Sequence, residues 1–142
     1  MAIITAGGCL IQLDRFHPRT WWQSVRDSGA TIVHYLGVMP AMLLGAEATP
    51  EDRAHLVRWG FGAGVGAKDH ARFEARFGFP LVEGWAMTET GGACLLVAAT
   101  APRHVGRRSL GRSLLGSALR ASDVLFSTRI LKKTGMRLAG EG

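Results

Sequence analysis

The chain is 142 residues long, 47% apolar and 20% charged, with 17 Lys+Arg against 11 Asp+Glu. That is ordinary globular composition and enough chain for one domain or part of one, which excludes whole-chain disorder. The formal charge of +6 is uneven: residues 1–102 hold 8 basic and 9 acidic side chains and residues 103–142 hold 9 and 2, so the part that looks folded is neutral and a uniformly basic nucleic-acid-binding domain is disfavoured.

Two distant cysteines, Cys9 and Cys94, suggest neither a disulfide framework nor a Cys-based metal site. With no secretory signal, because Met1–Leu13 lacks a basic n-region and runs into Asp14-Arg15, the chain reads as cytoplasmic. The other apolar stretch, Ala30–Ala46, contains His34 and Pro40 and is too short to span a bilayer.

In chain order, Cys9–Leu13 reads as a short buried strand after Gly7-Gly8. Pro18 can open a helix carrying Trp21, Trp22, Val25 and Arg26, about three turns long and closed by Ser28-Gly29. Ala30–Leu36 is continuous and β-branched, as in a parallel strand covered on both faces. His34 is then a core histidine, with a ligand role as the lesser alternative. Pro40 fits the first turn of a helix through Met42 to Leu44, and Thr49-Pro50-Glu51-Asp52 is a second start signal. Val57–Phe61 reads as a strand entering the glycine cluster Gly60, Gly62, Gly64 and Gly66. Lys68–Phe77 is an amphipathic helix stopped by Gly78, and Pro80–Glu83 a short strand. This alternation predicts an α/β fold, a mostly parallel sheet with flanking helices. Trp21, Trp22, Phe73 and Phe77 read as core contacts, and His17, His55, His70 and His104 as surface residues without metal-ligand spacing.

Two segments carry potential chemistry. Gly60–Ala67 is glycine-rich between strand and helix, which suits either backbone approach to a ligand, phosphate at the helix N-terminus included, or plain tight packing. It has neither a Rossmann acidic partner nor a Walker Gly-Lys-Ser/Thr. Glu83-Gly84-Trp85-Ala86-Met87-Thr88-Glu89-Thr90-Gly91-Gly92 sets an aromatic ring, hydroxyls and a carboxylate between glycines just after a strand. An aromatic can stack on a heterocycle, a threonine can donate to phosphate oxygen, and a carboxylate can hold Mg²⁺. Glu83 itself is more simply a solvated carboxylate.

This second segment resembles the Tyr-Gly-x-Thr-Glu signature of adenylate-forming (AMP-binding) enzymes, the acyl-CoA synthetase and luciferase superfamily. Gly8–Arg15, Thr31 to Pro40, Gly62-Ala63-Gly64 and Arg76-Phe77-Gly78 match in order and spacing, and Val105-Gly106 with Gly111-Arg112 resembles the downstream strand region. The acid–CoA ligases of the crotonobetaine/carnitine type are the nearest in kind. The resemblance implies an incomplete slice of the large N-terminal domain of these enzymes. It also implies their two-step reaction, in which a carboxylate attacks the α-phosphorus of ATP to give an acyl-adenylate and pyrophosphate, and the thiol of CoA then displaces AMP. Carried over, Trp85 would stack on adenine, Thr88 would contact the α-phosphate and Glu89 would coordinate Mg²⁺, these last two as the catalytic pair. Gly84, Ala86 and Met87 would complete the nucleotide segment, and Gly62, Ala63 and Gly64 would line the adenine and acyl pockets through their backbone. The implied partners are a carboxylic acid, the nucleotide and the remainder of such an enzyme, with neither nucleic acid nor a membrane span.

Ala86 departs from the family's glycine. The Ser/Thr/Gly-rich triphosphate loop, the ribose-binding Asp and the C-terminal catalytic Lys are not found in the sequence, so the 142-residue chain is expected to be inactive alone; the competing class is a non-catalytic remnant or interaction module. The expected organisation is a partial AMP-binding domain over 1–102 and a basic tail over 103–142. That tail is a basic arm, a divergent continuation of the family's β-rich subdomain, or a frame-shifted segment after about Arg112. The lack of interleaved aromatics disfavours the first.

Overall fold

The computed structural model describes residues 2–86, 94–97, 102–107 and 112–113. It opens with a one-turn helix, α1 (Ala2–Thr5), that ends where Gly7 and Gly8 donate back to the Ile4 and Ile3 carbonyls at 2.9 and 2.8 Å. The strand expected at Cys9–Leu13 does not form: these residues are exposed coil. A strand needs a ladder partner as well as an apolar run, and among the described residues none lies beside this segment.

Helix α2 (Trp21–Ser28) is two turns long, shorter than expected, because Pro18–Thr20 form a turn before it. Gly29 stops it in the left-handed conformation, φ 63°, donating to the Arg26 carbonyl at 3.0 Å. Strand β1 (Ile32–Leu36) follows, then α3 (Val38–Leu44) with Pro40 buried in its first turn, and a 3-10 turn at Pro50–Arg53. That turn is tied at its start by Asp52 Oδ2, which accepts from the Thr49 N–H at 3.2 Å. Strand β2 (Trp59–Ala63), helix α4 (Ala67–Phe77) and strand β3 (Leu81–Ala86) complete the parallel part. β2 and β3 extend further into the glycine cluster and the signature than the sequence pattern indicated. Gly78, φ 81°, caps α4.

The five-stranded sheet has the order β1-β2-β3-β4-β5, with β4 at Cys94–Val97 and β5 at Arg112–Ser113. β1, β2 and β3 pair in parallel, as the strand and helix alternation predicts, and β4 and β5 continue the sheet antiparallel. The packed face of the parallel part carries Val33 and Tyr35 from β1 and Leu81 and Glu83 from β3. Phe73 and Phe77, one turn apart on α4, lie 4.5 Å centroid to centroid, and Trp22 stacks on Phe77 at 4.5 Å. These are the core contacts expected of Trp21, Trp22, Phe73 and Phe77.

The other face of β1 is not covered among the described residues. Ile32 and Leu36 are 43% and 61% exposed, and His34 lies exposed between them, 6.3 Å from the Phe61 ring, so it is not a core histidine. Two other histidines depart from the surface reading. His55 is half-buried and stacked on Trp22 at 5.2 Å; burial lowers its pKa, and it accepts from the Val57 N–H through Nδ1. His70 is buried, 5% exposed.

His70 belongs to a polar latch across the end of the sheet. Its Nδ1 accepts from the Gly106 N–H at 3.3 Å, which leaves the proton on Nε2, facing Glu74 Oε1 at 3.0 Å and the Leu81 carbonyl at 3.2 Å. Glu74 also accepts from the Leu81 N–H at 2.8 Å and from both terminal nitrogens of Arg103. One carboxylate therefore ties α4 to the start of β3 and to the segment beyond the signature. Burial opposes its charge, but the hydrogen bonds from His70, Arg103 and Leu81 and the Arg103 charge prevail, holding its pKa at about 2. On the other edge of α4, Arg76 pairs with Asp52 at 2.7 Å and donates to the Leu44, Ala46 and Glu47 carbonyls, fixing the loop after α3.

Gly62→Ala is expected to destabilise by about 3 kcal/mol or to abolish folding, since a Cβ there would lie 2.1 Å from the Tyr35 carbonyl oxygen. Gly29→Ala, with open space but φ 63°, should cost about 1 kcal/mol; urea unfolding of the two variants separates crowding from backbone strain. Because the folded pKa of Glu74 lies below its unfolded value of 4.5, its contribution is complete above about pH 5 and disappears as the pH falls toward 2. Unfolding free energies measured from pH 6 to pH 2 should show about 3 kcal/mol of this loss, absent from Glu74→Gln.

Candidate functional site

Strands β1 and β2 end together, and their exits are pressed against each other. Gly37 leaves β1 and Gly64 leaves β2; a Cβ on Gly37 would lie 2.2 Å from the Gly64 carbonyl oxygen, so the two turns touch backbone to backbone. Gly64, φ 83°, turns the chain toward α4, and Gly66 precedes the first helical residue. In parallel α/β sheets this C-terminal edge is where ligands bind.

The register explains most of the glycine run. Tyr35, Gly62 and Glu83 form one row across β1, β2 and β3, and Val33, Gly60 and Leu81 form another. A Cβ on Gly62 would meet the Tyr35 ring at 2.7 Å, and one on Gly60 would meet Leu81 Cδ2 at 2.8 Å. On the packed face these glycines make room for the side chains of the outer strands, the tight-packing alternative. At the start of α4, Asp69 already places a carboxylate, its Oδ2 2.9 Å from where a Gly66 Cβ would be, so the helix N-terminus is electrostatically satisfied without phosphate.

Among the expected pocket residues, Gly62 is buried under Tyr35, Ala63 is half-buried and Gly64 is exposed, so the accessible backbone is that of the turn itself. Gly84 is buried in β3, and the backbone of Trp85 and Ala86 runs on in the same strand to the sheet edge, paired with β4 through Trp85↔Leu96 and Ala86↔Cys94 with a register shift between them. Met87, Thr88 and Glu89 lie outside the described residues. Among the described residues, no cluster of three or more His, Cys, Asp or Glu side chains is placed to hold a metal ion. No described helix is long and apolar enough to cross a membrane.

The structure adds a residue that reads from sequence as a solvated carboxylate. Glu83 is 1% exposed, and its Oε1 accepts from the Val65 N–H at 2.9 Å. The Gly64 N–H and the Tyr35 hydroxyl face the same carboxyl, while Oε2 has no hydrogen-bond partner among the described residues. Burial raises the Glu83 pKa despite those donors, and burial with the neighbouring Glu83 keeps Tyr35 protonated. The available signal was a lone acid in the apolar strand Leu81-Val82-Glu83-Gly84, where a charged side chain has no solvent to face. The result is an exposed glycine turn held from beneath, beside the strand that delivers the signature.

Comparison with known proteins agrees with this geometry. The family model for AMP-binding enzymes matches residues 1–125, past the division at residue 102. The crotonobetaine/carnitine–CoA ligase of Citrobacter koseri is 32% identical over 91 residues, 63% of this chain and 18% of that protein. A very long-chain fatty acid transport protein of Cochliobolus heterostrophus is 31% identical over 81 residues, 57% of this chain and 13% of that one. The matched segments thus span less than a fifth of the length of these relatives. The fold matches a benzoate CoA ligase from Burkholderia xenovorans LB400 with a TM-score of 0.62 at 20% identity, covering 72% of this chain and 21% of the ligase. It also matches the N-terminal domain of FACL13 from Mycobacterium tuberculosis with a TM-score of 0.65 at 18% identity, covering 78% and 28%. A three-stranded parallel sheet with its helices, the turn at its edge and a family match over most of the sequence lead to one conclusion: the chain belongs to the AMP-binding enzyme family.

Proposed function

We propose that this chain supplies one wall of the nucleotide site of an AMP-forming acid–CoA ligase. The observation that carries the proposal is the bond between the glycine turn, at the Val65 N–H, and Glu83 of β3, the strand that leads into the signature segment. In this reading the backbone at Ala63 and Gly64 lies along the adenine and acyl pockets, and Trp85 stacks on adenine. Thr88 would donate to an α-phosphate oxygen, and Glu89 would hold Mg²⁺. A bound Mg²⁺ would neutralise phosphate charge. CoA is the second-step acceptor, its thiol displacing AMP.

The uncovered face of β1, with Ile32 and Leu36 exposed, suits contact with the remainder of a full-length ligase. The division at residue 102 is proposed as a change in character along one folded region. Arg103 and Gly106 bond to α4, and the family match continues to residue 125, which favours a divergent continuation of the family's β-rich subdomain over a separate basic arm.

The 142 residues alone, which match only part of the length of their relatives, are expected to give no acid-dependent exchange of pyrophosphate into ATP. Exchange that disappears in Glu89→Ala would refute this. AMP titrated calorimetrically should bind weakly, and Trp85→Ala should weaken it by about tenfold with an unchanged circular dichroism spectrum. Unchanged affinity in that variant removes the stacking role.

A further inference from the structure

We propose that Glu83 is a positioning residue for the nucleotide site: its buried carboxyl holds the Gly64–Val65 turn in the shape that presents the turn's backbone to the ligand. The inference rests on the reading of the Gly64 turn as a nucleotide-site wall and adds to it the group that sets the wall's geometry.

The argument starts from the backbone. After Ala63 the chain leaves the β2 ladder, and Gly66 begins the bonding of α4, with its carbonyl accepting from Asp69 and His70 at 2.9 and 3.0 Å. The N–H groups of Gly64 and Val65 fall between the two elements, and among the described residues no backbone carbonyl accepts from either. Val65 is 2% exposed, so water does not replace the missing acceptor. Glu83 takes that place from the neighbouring strand, accepting at 2.9 Å from Val65 and facing Gly64. Successive N–H groups directed at one oxygen centre form a small anion-binding concavity, here filled from within the protein.

The arrangement is specific to a carboxyl or carboxamide. An apolar side chain in this row would leave the buried Val65 N–H unpaired, while an acid in the same place bears the cost of burial and leaves its Oε2 unpartnered among the described residues. Gly62 is part of the device: its bare Cα lets the Tyr35 ring lie over β2 between its own strand and Glu83. The charged and titratable neighbours of this carboxyl are Tyr35 and His70, with Glu74 and Arg103 beyond them in the latch. One short path of contacts therefore connects the glycine turn to the strand that carries the signature.

The test compares the wild-type chain with Glu83→Gln, Glu83→Ala and Tyr35→Phe, measuring amide hydrogen exchange at Gly64 and Val65 by NMR and AMP affinity by calorimetry. Glu83→Ala should speed exchange at these two amides by at least about tenfold, leave Phe77 protected, and weaken AMP by about tenfold. Glu83→Gln, which keeps an acceptor oxygen, should restore both to within about threefold of wild type. Tyr35→Phe should give a smaller change of the same sign in both, and it carries the test alone if Glu83→Ala fails to fold. Unchanged exchange at Gly64 and Val65 overturns the proposal, and so does faster exchange with unchanged AMP affinity, which would leave Glu83 a structural tie only. Failure of the wild-type chain to bind AMP overturns the nucleotide-site reading itself and this inference with it, whereas binding that survives Glu83→Ala overturns only the inference.

Discussion

Gly62 has no side chain, and the arrangement of the sheet depends on that. The central strand of the parallel trio contributes no side chain to the packed face at Gly60 or Gly62, so the side chains of β1 and β3 occupy the space above it. Tyr35 lies across one gap and Leu81 fills the other. In most sheets a glycine in a strand interior is a weakness; here it is the condition for close approach between neighbouring strands and turns. The same economy recurs at the strand exits, where Gly37 and Gly64 meet backbone to backbone.

Around that row the molecule places a half-buried carboxyl, Glu74, and a buried one, Glu83, with opposite electrostatic histories. Glu74 receives donors from His70, Arg103 and the Leu81 backbone, and those donors outweigh burial and keep it ionised. Glu83 receives the glycine turn and little else, and burial dominates. The difference follows from burial and donor charge together: Glu83 is more deeply buried and faces neutral donors, whereas Glu74 keeps some exposure and faces the Arg103 charge. Their anchoring roles are complementary. Glu83 precedes the signature segment and is bound to the turn after β2; Arg103 follows that segment and is bound through Glu74 to α4. The stretch that carries the family's characteristic residues is held on both sides by acids rather than by apolar packing alone.

The elements whose local signals agree with their tertiary setting were legible in advance. α4 has its apolar pair at Phe73 and Phe77 and its stop at Gly78, and α2 ends at Gly29 in the left-handed geometry that glycine favours. β1, β2 and β3 were legible in type, and β1 ends at Leu36 as expected, though the ends of β2 and β3 shifted toward the glycine turn and the signature because strand length is set by the neighbour's ladder and not by the strand's own composition. Cys9–Leu13 has the composition of a strand and no partner among the described residues. His34 and His70 exchanged expectations for one reason: a histidine's burial depends on which face of its element another element covers. The open face of β1 leaves His34 exposed, and the approach of residues 102–107 to α4 buries His70.

By itself, the sequence determined the alternation of strands and helices, the turn positions where glycine is required, the neutral and basic halves, and the signature whose spacing carries the family resemblance, because all of these are written in short-range order along the chain. Only the tertiary structure decided what the glycine run is for. Register, which no local pattern specifies, sets Gly62 between Tyr35 and Glu83, and burial converts a carboxylate that reads as solvated into the group that holds the turn.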